Sequence, residues 1–371
     1  MSRWSWKLGR VAGIDVHMHG TFLILLVWVG VAHYLERHSW IDAGMGVLFI
    51  LALFSIVVLH ELGHALTARR FGIRTRDITL LPIGGVARLE RMPDDPRQEL
   101  LVAFAGPLVN VALAAVLFAV VPSATSPTTL RELGWTGGGF LGKLAWVNVS
   151  LAVFNLLPAF PMDGGRALRA ILAMRMDYVR ATEIAARVGH AFALILGLVG
   201  LFANPFLIFI AWFVWVGATS EAGMVQLRSA LANIPVEPVM ITRFETLAPG
   251  DPLQRAVDHV LEGFQQDFPV VEAGRVVGML TRADLMKGLT ERGGETPVAT
   301  AMTPAFETVQ ASDMLEGAFE RLQASACPAM PVLRGESLVG VLTPDNIGEF
   351  VAMRSALRAN GSHPRLVEVR P

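Results

Sequence analysis

Residues 57–70 read VVLHELGHALTARR. Within them His60-Glu61-x-x-His64 fits H-E-x-x-H, a pattern that sets two imidazoles and a carboxylate on one stretch of helix. Positions i and i+4 share a helix face, so both histidines can ligate one Zn2+ ion. Glu61 projects beside them, within reach of a water at the metal's open position. A catalytic zinc keeps that position open and takes three protein ligands. One more ligand must therefore come from elsewhere in the chain.

Sixteen uncharged residues, Gly44 to Leu59, lead into this motif. At 1.5 Å per residue, His60 lies about 24 Å from the outer end of that run and about 13 Å from Arg69. Ionisable groups are costly at such depth in lipid and mark function by default. The alternative is a pair of packing histidines with an ion-paired glutamate. It needs a basic partner for Glu61, and none stands within the span.

The rest of the chain supplies an apolar setting. Of 371 residues, 53% are hydrophobic and 17% charged, with mean hydropathy +0.49; soluble domains carry about 25% charge. This excludes a disordered chain and argues against a single soluble enzyme. The net charge of −1 gives no pull toward nucleic acid. Residues 1–230 hold 19 Lys/Arg against 14 Asp/Glu, whereas 231–371 hold 12 against 18. Two chemically different halves thus join near residue 230. The single cysteine, Cys327, excludes an intrachain disulfide and reads as a small buried hydrophobe.

Apolar runs predict spans at about 20–34, 43–68, 99–122, 139–158, 188–203 and 205–220. Asn204-Pro205 separates the last two as a turn signal. With the N-terminus inside, the inner loops gather Arg69, Arg70, Arg74, Arg76, Arg88, Arg91 and Arg97, then Arg166, Arg169, Arg175, Arg180 and Arg187. The outer loops hold Arg37 and Arg131, with Lys143 at a span edge. The positive-inside bias predicts a multi-pass protein of the inner (plasma) membrane with both termini cytoplasmic. The first apolar run follows Arg10 and Asp15 and ends on no small-x-small site, so it does not read as a cleavable signal. His17 and His19 alternate in GIDVHMHGTF, which predicts a short strand. They read as interfacial histidines, with a second metal site as the alternative. His190 reads as capping or packing.

The third ligand should be an inward polar group on another span. Asp163 is the best candidate, in FNLLPAFPMDGGRAL, 154–168. Pro158 and Pro161 break the helix there, and Gly164 and Gly165 permit backbone turns closed to other residues. A broken helix is tolerated in a membrane where it lines a cavity. Taken alone, Asp163 reads equally well as a helix-end carboxylate at the interface.

The second half repeats itself at a shift of 62 residues. Met240 falls on Met302, Phe244 on Phe306, Asp251 on Asp313, Pro269 on Pro331, Gly278 on Gly340 and Thr281 on Thr343. FPVVEAGRVVGMLTRADL (268–285) and MPVLRGESLVGVLTPDNI (330–347) each read as strand, turn, strand and helix start. Two copies suggest a pseudo-symmetric pair, each burying a face against the other.

HELGHA and NLLPAFPMDGG together resemble the joint signature of the site-2 protease family of intramembrane zinc metalloproteases, in the bacterial and archaeal group that carries a C-terminal pair of CBS domains. The resemblance covers nearly the whole chain. It implies that His60, His64 and Asp163 bind one catalytic Zn2+ and that Glu61 is the base. The family's Asn-x-x-Pro matches Asn155 and Pro158, implying an amide that binds substrate or stabilises the oxyanion. Helix capping or interhelical hydrogen bonding is the other reading of Asn155. IRTRDITLLPIGGVARLE (73–90), strand-like around Pro82, Gly84 and Gly85, resembles the family's membrane-associated β-hairpin. Its edge, with Gly84 and Gly85, would add a strand to an unwound substrate; a plain interfacial loop is the alternative. FAGPLVN at 104–110 matches a further family pattern through Gly106, Pro107 and Asn110, read here as close helix packing.

The repeat resembles a tandem CBS pair. The module's nucleotide-contacting pattern falls on Gly278, Thr281 and Asp284, and again on Gly340, Thr343 and Asn346. Glycine admits a close ligand, threonine can bond phosphate or ribose, and a carboxylate suits ribose hydroxyls. The implied ligand is an adenine nucleotide, ATP or AMP, with Asn346 weakening the second site. A purely structural module, or one that makes a homodimer, is the alternative.

The sequence thus predicts an α-helical polytopic membrane domain of about six transmembrane helices with a membrane-associated β-hairpin (1–223). A linker (224–234), a cytoplasmic α/β tandem CBS pair (235–290 and 297–352) and a tail (353–371) follow. The predicted activity is a zinc endopeptidase that cuts transmembrane protein substrates in the lipid bilayer, such as anti-sigma or membrane-tethered pro-sigma factors, under nucleotide control. A CBS-regulated ion transporter leaves Glu61 between two i,i+4 histidines unexplained. A catalytically inactive scaffold leaves the full residue set unexplained.

Overall fold

The computed structural model describes residues 4–359 except 83, 94, 123–137, 264 and 326. The chain divides into two units, Met1–Val225 and Gln226–Pro371.

The first unit opens with a hairpin, β1 (Ser5–Val11) and β2 (Ile14–His19), before α1 (Thr21–Arg37). α2 (Trp40–Arg70) is started by Ser39, whose hydroxyl accepts the Asp42 N–H at 3.3 Å. It ends on Arg69 and Arg70, cations that suit the helix C-terminus. Phe22 and Phe54 join α1 to α2 edge to face, centroids 4.5 Å apart, a contact worth about 1 kcal/mol beyond its burial. β3 (Thr75–Leu81) and β4 (Gly84–Leu89) form a hairpin where one is predicted. It belongs to a larger sheet, because β3 also pairs in parallel with β2, Val16 against Ile78 and His17 against Thr79. The order is β1-β2-β3-β4, which leaves β4 as an edge.

Five helices follow: α3 (Pro96–Val120), α4 (Gly138–Asn155), α5 (Asp163–Ala173), α6 (Tyr178–Phe202) and α7 (Phe206–Leu231), the last running past the boundary at Val225. Asp95 caps α3 by accepting the Arg97 N–H at 2.8 Å, with Pro96 in the first turn, where its missing N–H costs nothing. Each of the six predicted apolar spans is helical. Among the described residues, α2, α3, α6 and α7 are long and apolar enough to cross a membrane. α1 has 17 residues and α4 has 18. Large apolar side chains such as Leu198, Phe202 and Trp212 are exposed on α6 and α7, as a lipid-facing surface requires. Arg169 differs from its reading as an inner-loop arginine: it is fully buried among the helices. Arg131 and the tail beyond 359 lie outside the described residues.

In the second unit the repeats are α8 (Leu253–Glu262), β5 (Phe268–Glu272), β6 (Arg275–Leu280) and α9 (Arg282–Arg292), then β7 (Val309–Gln310), α10 (Leu315–Ala324), β8 (Met330–Arg334), β9 (Ser337–Leu342) and α11 (Pro344–Ala359). They exchange backbone pairing with pseudo-twofold symmetry. Ile241 bridges Val341, and Thr303, its counterpart 62 residues on, bridges Met279. Leu231 and Ile234, in the segment read as a linker, are buried in a core with Leu315, Met330 and Leu342. Cys327 is buried with Met279, Ala329 and Val341.

Candidate metal centre

α2 carries His60 and His64 one turn apart, both buried, and α5 brings Asp163 in its first turn. The two Nε2 atoms are 3.1 Å apart. Asp163 Oδ2 stands 3.2 Å from that of His60 and 3.1 Å from that of His64. Among the described residues this is the only group of its kind that could hold a metal ion. A tetrahedral ion with bonds of about 2.1 Å separates its ligands by about 3.4 Å, so three donors already surround an ion-sized point. His64 Nδ1–H donates to the Val102 carbonyl at 2.7 Å. That bond fixes the tautomer and turns the Nε2 lone pair toward the shared point. The space in front of the donors depends on Gly106 of α3. A Cβ there would lie 2.2 Å from His64 Nε2 and 2.6 Å from His60 Nε2. Zinc fits these residues, and the glycine read as a packing residue is what leaves room for it.

Asp163 reaches the histidines through a tight turn after α4. The Ala159 N–H donates to the Leu157 carbonyl at 2.7 Å, and the Met162 N–H to the Ala159 carbonyl at 3.0 Å. Gly164 and Gly165 are needed for space, not for turn dihedrals, since both lie in helical backbone. A Cβ on Gly164 would meet the Leu156 and Leu157 carbonyl oxygens at 2.3 Å, and one on Gly165 the Ala159 carbonyl carbon at 2.6 Å. α5 therefore starts directly on the preceding turn.

Glu61 faces the sheet. Its Oε2 accepts the backbone N–H of Ala87, on β4, at 3.2 Å. β4 can lie this close because of Gly85, whose Cβ would stand 2.8 Å from Val57 Cγ1 and 3.0 Å from Glu61 Cγ. Gly84 opens the strand at φ 141°, a conformation that favours glycine. A cavity of about 20 Å³ adjoins Glu61, lined also by His64, Ala87, Glu99 and Arg166 among others, with room for one water.

Comparisons with known proteins identify the family. The peptidase family M50 model matches residues 48–196, and the CBS domain model matches 236–291 and 298–352. A zinc metalloprotease of Methanocaldococcus jannaschii is 37% identical over 286 residues, covering 76% of this chain and 80% of that protein. The chain belongs to peptidase family M50, the site-2 protease family. Rip3 of Mycobacterium tuberculosis is 31% identical over 380 residues, covering 93% of this chain and 92% of its own. The solved structure of the site-2 protease from Methanocaldococcus jannaschii is 39% identical, covering 59% of this chain and 95% of that one, with a TM-score of 0.44. This M50 protein is accordingly a zinc metalloprotease of the membrane that carries tandem CBS domains.

Among the other predicted residues of the protease unit, His17, His19 and His190 do not join the three donors. Asn155 ends α4, half-buried, ahead of Pro158. His19 Nδ1 pairs with Thr21 Oγ1 at 2.8 Å. His17 is buried on β2, and its Nδ1 has no partner among the described residues. His190 Nε2 pairs with Thr219 Oγ1 at 3.1 Å, and its ring lies 4.4 Å from that of Trp215. Sequence reasoning missed Arg169. Its Nε and Nη2 donate to Glu99 Oε1 at 2.8 and 2.6 Å, and its Nη1 donates to Glu221 Oε1 at 2.5 Å. The signal was present in two acids on apolar helices, each of which needs a cation.

In the second unit, Thr281 caps α9. Its hydroxyl donates to Asp284 Oδ2 at 2.7 Å and accepts the Asp284 N–H at 3.1 Å. Thr343 accepts the Asn346 N–H at 3.3 Å and pairs with its Oδ1 at 2.7 Å. All four residues line one cleft of about 1190 Å³, together with Asp267, Arg282 and Asp345. Gly278 and Gly340 do not line it. Their open sides are filled by the counterpart methionines, a Cβ on each lying 2.6 Å from Met302 Sδ and 2.7 Å from Met240 Sδ. Burial pushes the Asp267 carboxyl up, and Asp284 and Asp345 add to the effect.

Proposed function

We propose that this M50 protease cuts transmembrane protein substrates within the lipid bilayer, at a single Zn2+ held by His60, His64 and Asp163, with Glu61 as the base. The observation that carries the reading is the convergence of three donor atoms within 3.2 Å of one another, on the space left by Gly106. Bound there, zinc supplies Lewis acidity to the scissile carbonyl and to the attacking water. Glu61 takes the proton of that water and passes it to the leaving amine. Asn155 lends its amide to the substrate or to the developing oxyanion.

A helical peptide bond is hydrogen-bonded and shielded, so the substrate must unwind before it is cut. The edge of β4 receives the unwound strand, with Gly84 and Gly85 keeping its start free of side chains. A strand added there meets the Ala87 N–H beside the base. The arginine bias supports six spans with both termini on the cytoplasmic side of the inner membrane. Anti-sigma and membrane-tethered pro-sigma factors are the substrate class that the family resemblance suggests. The cleft lined by Thr281, Asp284, Thr343 and Asn346 takes ATP or AMP and adjusts activity, with a homodimer through the CBS pair as the assembly.

The test uses full-length protein reconstituted in vesicles with a single-span reporter. Chelation should stop cleavage, and zinc, but not magnesium, should restore it. Cleavage indifferent to chelation would sink the reading.

A further inference from the structure

The charge cluster around Arg169 bears on the metal site. Arg169 is fully buried, six residues after Asp163 on the eleven-residue helix α5. One side of its guanidinium grips Glu99 of α3, and the other grips Glu221 of α7. Its central carbon lies 5.1 Å from the Phe160 ring centroid and 5.0 Å from that of Tyr178. Phe160 is fully buried in the turn that delivers Asp163. Glu99 stands one turn before Val102, whose carbonyl orients His64. α7 reaches the same turn a second time through Gly217, where a Cβ would lie 2.5 Å from Pro161 Cδ. Glu99, Glu221 and Phe160 therefore each neighbour a segment that sets a metal ligand.

We infer that Arg169 is a positioning residue of the metal centre: its clasp on Glu99 and Glu221 holds α5, and so Asp163, in register with His60 and His64. The inference rests on the three-ligand site proposed above. Buried ion pairs are weak stabilisers, because desolvation offsets most of their attraction. Their better-attested use is to fix one register among several. Here the register is that of a short helix whose first residue must place one oxygen 3.1–3.2 Å from two imidazole nitrogens. A planar guanidinium can hold two carboxylates at once on separate edges, which a lysine ammonium does not reproduce. Removing groups that hydrogen-bond directly to metal ligands lowers metal affinity by about 10–100-fold, and a support one contact further out, such as Arg169, is expected at the low end of that range.

The experiment compares full-length wild type with Arg169→Lys and Glu221→Ala in detergent or nanodiscs. Zinc affinity is read by chelator competition, the site's geometry by the visible absorption of bound Co2+, and the fold by thermal unfolding of the metal-free protein. Glu221 lies at the partly exposed end of the clasp, so its variant serves if Arg169→Lys does not fold. The expected result is a loss of zinc affinity of about tenfold or more with an altered Co2+ spectrum, while the unfolding temperature of Glu221→Ala stays near wild type. Wild-type affinity and spectrum in folded Glu221→Ala would overturn the inference, whatever its stability. Failure of wild type to bind zinc would instead overturn the three-ligand site, and the positioning role with it.

Discussion

The backbone N–H of Ala87, on an edge of the four-stranded sheet, donates to the carboxylate of Glu61 at 3.2 Å. Substrate capture at that edge would give the same N–H a second partner. Ala87→Pro removes the donor at a position where edge strands tolerate proline. The KM for a membrane reporter should rise about three- to tenfold, the worth of one hydrogen bond. Zinc content should stay at the wild-type level. An unchanged KM would place substrate capture away from β4.

Gly106→Ala should abolish metal binding. The added methyl would stand 2.2 Å from His64 Nε2, in the space where the donor atoms converge. Alanine also favours helix over glycine by about 1 kcal/mol, so α3 should persist. Elemental analysis should find zinc reduced to a small fraction of wild type, with unchanged helical circular dichroism. Full zinc occupancy in this variant would contradict the geometry.

Asp267 links the second unit to pH. Burial first, then Asp284 and Asp345, make its folded state hold a proton more tightly than the unfolded chain. Ionised Asp267 therefore costs stability above its raised pKa, and the cost fades as pH falls toward the unfolded value of 3.8. Asp267→Asn keeps an acceptor for the Arg282 N–H. It should raise the unfolding temperature at neutral pH, and calorimetry should show the gain shrinking as the solution is acidified. A gain independent of pH would assign the effect to packing instead.

Local chemistry at fixed spacing is legible in the sequence. His60 and His64 sit one helical turn apart with Glu61 between them, whereas Asp163, read alone, is equally a helix-end carboxylate and is singled out by the family resemblance. The strand character of 14–19 and the hairpin at 73–90 are legible too, but their union in one sheet is not. Parallel pairing of β2 with β3 joins segments on either side of two long helices, and alternation carries no record of the partner. Arg169 reads as a loop arginine because a charge count registers position, not what the guanidinium grips. Gly106 reads as a packing glycine because its necessity lies in the atoms opposite it. The 62-residue repeat is plain, whereas the exchange that sets Met302 on Gly278 and Met240 on Gly340 depends on how the copies meet.

The most direct measurement pairs zinc content with cleavage in Glu61→Gln. Glutamine keeps the shape beside His60 and His64 and removes only the base. Reconstituted with a single-span reporter, the variant should hold as much zinc as wild type and cleave it about 10²–10⁴-fold more slowly. Wild-type cleavage by zinc-loaded Glu61→Gln would contradict the assignment of Glu61 as the base.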